Sequence, residues 1–148
     1  MVAAGFEVRA VSEEELPAFI ALGLLAFHER LPDGEERRRA ERFMRSARRF
    51  GAYDGDELIG VAGALDMELS VPGGALPCAG LTWVAVAPTH RRRGIARKLI
   101  AFAESRFTEY GGTRADAMVL DTNTEAHAAW RNAGYSPQPN WSRWVKPL

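Results

Sequence analysis

The sequence predicts a mixed α/β fold: one sheet, mostly antiparallel, with helices on both faces. Three observations carry that expectation. Alternating or apolar short runs interleave with runs of helical periodicity in the order β, α, α, β, β, β, α, β, α, β, β. The strands of the middle third are joined by turn sequences, as in an antiparallel meander. A strand–helix–strand crossover follows, which adds a parallel pair and sets the chain apart from a doubly wound parallel sheet.

Residues 6–10 alternate as a short strand. Ser12-Glu13-Glu14-Glu15 is a capping box, with Ser12 at the N-cap and Glu15 at N3, and Leu16, Ile20, Leu24 and Phe27 give its helix an apolar face. Pro32-Asp33-Gly34 breaks the chain before a second helix that runs to about Arg49. Strands at 50–53 and 58–69 flank the turn Asp54-Gly55-Asp56. In the second of them Leu65, Met67 and Leu69 share one face, with Asp66 and Glu68 on the other. Val71-Pro72-Gly73-Gly74 turns the chain again, and 80–87 is a strongly apolar strand. A helix over 92–110 turns Leu99, Ile100, Ala103 and Phe107 inward. A short buried strand at 117–120, a helix at 124–133 and final strands at Tyr135 and 141–145 complete the order.

A chain of 148 residues is one domain's worth, so residues 1–148 are expected to form a single domain. No apolar run approaches the roughly 20 residues that span a bilayer. The first ten residues lack a basic segment followed by an apolar one, so no signal peptide is expected. The single cysteine, Cys78, has no partner for a disulfide and no neighbouring His or helix start to activate it, and is read as structural. No Cys/His cluster has metal-ligand spacing. The expectation is a cytoplasmic protein with no metal, no membrane partner and, with 19 basic against 19 acidic residues, no nucleic-acid partner.

Charge is uneven all the same. Arg37, Arg38, Arg39, Arg42, Arg45, Arg48 and Arg49 crowd one segment, where Glu35, Glu36 and Glu41 beside them make a solvated helix face. Arg91-Arg92-Arg93 stands in a different context, between the apolar strand and the helix that follows it. The first amides of a helix have no internal partner and carry partial positive charge. Gly94 lets a ligand approach the backbone closely, and the arginines add full charge, so this segment reads as a cradle for an anion such as a diphosphate.

The spacing Val84-x-Val86-x-Pro88-x-x-Arg91-x-x-Gly94-x-Ala96 resembles the coenzyme signature of the GCN5-related N-acetyltransferase (GNAT) superfamily, in the strand-to-helix context that family requires. Asn123-x-x-Ala126-x-x-x-Trp130-x-x-x-Gly134-Tyr135 is similar to a second family feature, the Asn-x-x-Ala-x-x-x-Tyr-x-x-x-Gly-Phe run. The element order agrees throughout, so the resemblance covers essentially the whole chain. The stretch 88–94 and the turn at 71–74 also resemble the enhanced-intracellular-survival acetyltransferases, which are much longer multidomain chains.

The resemblance implies a GNAT-like fold with a splayed parallel strand pair, acetyl-CoA as cosubstrate, and transfer of the acetyl group to a primary amine by direct attack. It implies that the backbone of Val84, Ala85 and Val86 holds the pantetheine arm and that Arg91, Arg92, Arg93, Gly94, Ile95 and Ala96 hold the pyrophosphate. Asn123 and Trp130 would line the opposite wall, and the Val84 N–H would stabilise the oxyanion. The acceptor would be a small-molecule or peptide amine, shaped by residues 28–39 and 70–77. Many members dimerise, so a homodimer is implied, with Trp141 and Trp144 as interface or core residues.

Two departures bear on catalysis. The positions where members often place a base hold Thr82 and Gly80, and the tyrosine that often protonates the leaving thiolate is replaced by Trp130, whose indole N–H is a poor acid. Asp66, Glu68 and His28 are candidate bases from neighbouring elements, although solvent-facing carboxylates and a surface histidine read as well. The side-chain base and acid are therefore unassigned, and an alternative is an acyl-CoA-binding sensor module with weak or no turnover. His90 and His127 read as surface or packing residues.

Overall fold

The computed structural model describes residues 5–30, 32–117 and 119–138. The chain divides into two compact units, Met1–Ala117 and Met118–Leu148.

The first unit is built on a sheet of order β1-β2-β3-β4, every neighbouring pair antiparallel: β1 (Glu7–Ala10), β2 (Arg48–Asp54), β3 (Glu57–Val71) and β4 (Gly74–Val86). Between β1 and β2 lie α1 (Leu16–Ala26) and α2 (Gly34–Ser46). The capping box forms reciprocally: Ser12 N–H donates to Glu15 Oε2 at 2.9 Å and Glu15 N–H donates to Ser12 Oγ at 3.3 Å. Helix α1 buries Leu16, Phe19, Ile20, Leu22, Gly23 and Leu24, so it is apolar almost all round and sits in the core. His28, at φ +60°, ends it, with Glu29 N–H reaching back to the Leu24 carbonyl. The arginines of α2 pair along its surface, Arg37 with Glu41 and both Arg38 and Arg42 with Glu35.

The second helix is shorter than expected. It stops at Ser46, and Arg48 and Arg49 open β2 instead, where Arg49 pairs with Glu13 and donates to the Met44 carbonyl at 2.8 Å. A strand position explains these two arginines better than a helix face, because each alternates across the sheet to a separate partner.

Strands β3 and β4 are longer than expected. They pair from Gly60↔Val86 to Val71↔Gly74 around the two-residue turn Pro72-Gly73, with Gly73 at φ +91°. Strand β2 reaches only Ala64, so the outer part is a two-stranded ribbon beyond the sheet. Cys78 lies in this ribbon opposite Met67 and is exposed.

Two apolar clusters cover the two sheet faces. One joins α1 and Met44 to Val61, Ala85 and Ala87. The other joins α3 (Ile95–Glu109) to Phe50, Ala52, Ile59, Ala62 and Ala64. Gly60 allows α3 to approach: a Cβ there would stand 2.8 Å from Ile95 Cγ2 and 3.1 Å from Leu99 Cδ1.

The second unit holds α4 (Thr124–Asn132), capped by Asn123, whose side chain accepts from Ala126 N–H at 3.0 Å. Residues 117, 119 and 120 carry no ladder, so the strand expected at 117–120 is not formed among the described residues. A four-residue apolar run carries too little pattern to specify a pairing. Tyr135 follows α4 in irregular structure instead of a strand, and the strand expected at 141–145 lies outside the described residues.

Candidate functional site

The site is assembled where β4 turns toward α3. The register of β4 against β3 slips between Val61 and Gly63: Ala85 opposes Val61 and Thr82 opposes Gly63, which leaves Trp83 and Val84 together opposite Ala62. This is a β-bulge, with the extra residue withdrawn from the ladder. Trp83 makes the bulge by adopting φ +53°, a left-handed conformation uncommon for a bulky side chain. Its indole leaves the strand toward α1, stacking on Phe19 at 6.2 Å and meeting Phe27 edge-on at 6.2 Å.

Val84 and Val86 pack on the α3 side and Ala85 is buried on the α1 side, so all three side chains are committed to the core. What they offer is backbone. Among the described strands β4 is the edge of the sheet, and its outer N–H and C=O groups face away from β3.

After β4, Ala87 N–H bonds the Ile59 carbonyl at 2.9 Å and a short 3-10 turn, Pro88–His90, leads into the arginines. The helix expected from residue 92 begins at Ile95, so Arg91, Arg92 and Arg93 form a loop ahead of α3 and not its first turn. The cause is conformational: Arg92 at φ +65° and Gly94 at φ +78° are both left-handed, which a helix interior excludes. Gly94 is the N-cap and provides no side-chain cap. Among the described residues the amides from Arg91 to Arg97 have no backbone acceptor: the bonded series ends with His90 N–H to Ala87 O and resumes with Lys98 N–H to Gly94 O.

The charge around these amides is the reverse of ordinary helix design. A first turn is stabilised by carboxylates, yet α3 has none there, and Arg97 and Lys98 follow the three loop arginines. Among the described residues Arg92, Arg93 and Arg97 form no ion pair. Open amides, a positive helix end and unpaired guanidinium groups together suit a polyanion. Arg91 is engaged differently, its Nη2 donating to the Ala26 carbonyl at 3.3 Å. Ile95 is buried, so only its amide faces the loop, and Ala96 is half-buried.

The remaining candidates have other partners. Asp66 pairs with Arg48, and Glu68 is exposed on the ribbon. Thr82 sits opposite Gly63, and His28 is the exposed residue that ends α1. His90 Nδ1 lies 2.9 Å from Thr89 Oγ1, with Nε2 4.0 Å from Asp54. In the second unit, Asn123 is occupied as a helix cap, Trp130 meets Tyr135 edge-on at 4.7 Å, and His127 Nε2 lies 3.1 Å from the Leu120 carbonyl. Among the described residues no group of three or more His, Cys, Asp or Glu gathers to hold a metal, and no helix is long and apolar enough to cross a membrane.

The acetyltransferase (GNAT) domain model matches residues 7–115. The chain belongs to the GNAT acetyltransferase family. The match contains the bulge, the arginine loop and α3, and ends before Asn123 and Trp130. N-acetyltransferase Eis of Mycobacterium bovis (strain BCG / Pasteur 1173P2) is 50% identical over 64 residues, 43% of this chain and 16% of that protein. An uncharacterized N-acetyltransferase of Streptomyces avermitilis is 38% identical over 90 residues, 60% of this chain and 22% of that protein. The matched stretches thus span about a fifth of the length of these curated relatives. Among solved GNAT structures, AAC(6')-Iy in complex with the bisubstrate analog CoA-S-monomethyl-acetylneamine superposes with TM-score 0.79 at 20% identity, covering 97% of this chain and 99% of that one. The aminoglycoside 6'-N-acetyltransferase AAC(6')-Ih of Acinetobacter baumannii superposes with TM-score 0.75 at 24% identity, over 97% and 99% of the two chains. At these identities the likeness establishes the GNAT-like fold.

The arginine loop is legible in the sequence, whereas the packing of Trp83 on Phe19 and Phe27 is not. The available signal was Gly23, a glycine inside an otherwise apolar helix, which costs helix stability unless something packs close against it.

Proposed function

We propose that residues 1–148 act as one acetyl-CoA-dependent N-acetyltransferase domain that transfers the acetyl group to a primary amine. The observation that carries this reading is the pairing of an edge-strand bulge at Val84 with an acid-free, arginine-flanked helix start one short turn later. These residues fit coenzyme A. The 91–96 amides with Arg92 and Arg93 would hold its pyrophosphate, and the backbone edge of Val84, Ala85 and Val86 would hold its amide-bearing arm as an added strand. The coenzyme supplies an activated acetyl thioester.

The Val84 N–H, at the bulge of the sheet's edge strand, is proposed to donate to the thioester oxygen as negative charge builds there. With Asp66 paired and Thr82 no base near neutral pH, the site works chiefly by orientation, which alone can supply several kcal/mol of barrier lowering. The acceptor is a small-molecule or peptide amine. The aminoglycoside acetyltransferases that share the fold make aminoglycosides a sensible first panel. Asn123 and Trp130, in the second unit, are proposed as further coenzyme-binding residues.

Calorimetric titration with acetyl-CoA, against CoA and ATP, tests the reading. Micromolar one-to-one binding of both coenzyme forms, followed by amine-dependent thiol release, supports it. No binding at millimolar acetyl-CoA removes it. Tight binding without thiol release for any amine favours the sensor reading, to which the absence of a tyrosine at Trp130 points.

A further inference from the structure

Trp83 holds a backbone conformation that only a close fit sustains, and Gly23 is what makes room for it. A Cβ at Gly23 would stand 2.4 Å from Trp83 Cε3 and 2.7 Å from Cζ3, well inside contact distance. The ring cannot retreat readily, because Phe19 stacks on it at an interplanar angle of 6° and Phe27 meets it at 80°. Trp83 at φ +53° is the residue that creates the bulge, and the next amide is that of Val84. The indole and the peptide that carries the Val84 N–H thus share one residue, the one whose left-handed φ makes the bulge.

We propose that Gly23 is a positioning residue for acetyl transfer: by admitting the Trp83 ring against α1 it holds the bulge open and aims the Val84 amide. The proposal rests on the reading of that amide as the oxyanion donor. Gly23 itself touches neither coenzyme segment: the proposed pyrophosphate grip at 91–96 and the arm contacts of Ala85 and Val86 are left in place, and only the Val84 peptide is disturbed. Its replacement should consequently act on kcat far more than on coenzyme affinity.

A purely helical role makes the opposite forecast. Glycine to alanine inside a helix raises helix propensity, so Gly23→Ala would raise Tm and leave turnover intact. If Gly23 acts through Trp83, Gly23→Ala lowers kcat by about 100-fold, the scale of a lost or misaimed oxyanion donor, with KM for acetyl-CoA within about twofold.

The experiment combines thiol-release kinetics on a panel of primary amines with the valine-selective ¹⁵N–¹H spectrum of the protein bound to CoA and to acetyl-CoA. Wild type should show a Val84 shift specific to acetyl-CoA; Gly23→Ala should lose that shift and the turnover together. Gly23→Ala/Trp83→Phe, which removes the ring atoms that the new methyl meets, should recover both to the level of Trp83→Phe alone. Retention of the Val84 shift and of kcat in Gly23→Ala overturns the proposal while leaving the oxyanion reading in place. Absence of any acetyl-specific shift in wild type overturns both. Should Gly23→Ala fail to fold, the double variant decides, and its failure to recover the Trp83→Phe spectrum is equally fatal.

Discussion

Arg91 Nη2 donates to the Ala26 carbonyl at 3.3 Å, a bond across 65 positions that ties the anion loop to the end of α1. The carbonyls at a helix C-terminus are partly negative and unpaired, so a guanidinium there is stabilising by about 0.3–1 kcal/mol at an exposed site. That is small beside the roughly 5–15 kcal/mol that holds a domain folded. Arg91→Ala is therefore expected to change Tm by only a few degrees while freeing the loop. Coenzyme binding should weaken by about fivefold, equivalent to ~1 kcal/mol. Calorimetry and thermal melts on the same variant check the pair of outcomes; a large Tm loss with unchanged affinity would assign Arg91 to stability alone.

Gly94 isolates the backbone's share of the cradle. Beside it a Cβ would meet only the tip of Arg97, at 4.0 Å, so space is no obstacle, and the φ of +78° is the whole difficulty. A β-branched residue resists that conformation, whereas asparagine tolerates it. Gly94→Val should reduce CoA affinity by about 10-fold or more, in the range expected from backbone strain of ~1–3 kcal/mol, with Gly94→Asn much closer to wild type. Parallel titrations of the two variants read the difference directly. Equal affinities would mean that this turn is not the binding element.

Arg92 and Arg93 test the electrostatic share. Both are exposed and without an ion pair among the described residues, so removing either leaves no buried charge behind. Arg92→Ala and Arg93→Ala should each weaken CoA binding several-fold at low salt, and the loss should shrink toward about 1 M salt, where screening reaches ~3 Å. Pantetheine, which lacks the phosphates, should bind all three proteins alike. Titrations at two salt concentrations are sufficient, and a salt-independent loss would point to a structural role for these arginines.

The anion loop was legible because its signal is local: an apolar strand, three arginines and a glycine in one short span. The turns at 54–57 and 71–74 were legible for the same reason, since Gly55 and Gly73 supply the positive φ that each requires. The bulge was not, because its cause is split across the chain. Trp83 can be left-handed only against Phe19, Gly23 and Phe27, some sixty residues earlier, and nothing near Trp83 announces a register slip. The start of α3 was misplaced by periodicity alone: residues 92–94 continue the helical pattern of charges, while Arg92 and Gly94 take conformations that only the fold reveals. The ribbon before Gly80 carries no strand signal in the sequence because Ala75, Pro77 and Ala79 are poor strand formers, aligned by pairing with Ser70, Glu68 and Asp66.

Glu15 links this fold to pH. Its carboxylate takes two bonds from Arg9, at 2.8 and 3.1 Å, and one from Ser12 N–H, while the Arg9 guanidinium lies 3.7 Å from the centre of the Tyr53 ring. The Arg9 bonds, and after them the Ser12 amide, hold Glu15 down at about 2 from its ordinary 4.5. A depressed carboxylate stabilises the fold only while ionised. The contribution is complete above about pH 4.5 and declines as pH falls toward 2, because the unfolded chain takes up its proton first. Burial pushes the Tyr53 phenol up to about 12, with the neighbouring Glu15 carboxylate adding to it, so Tyr53 stays neutral throughout this range. Glu15→Gln keeps a residue able to complete the capping box and removes the charge. Urea midpoints measured from pH 7 to pH 3 should fall more steeply for wild type than for Glu15→Gln, with wild type the more stable at pH 7 and the two curves converging at the acid end. Parallel curves over that range would show that Arg9 gains nothing from the ionised partner.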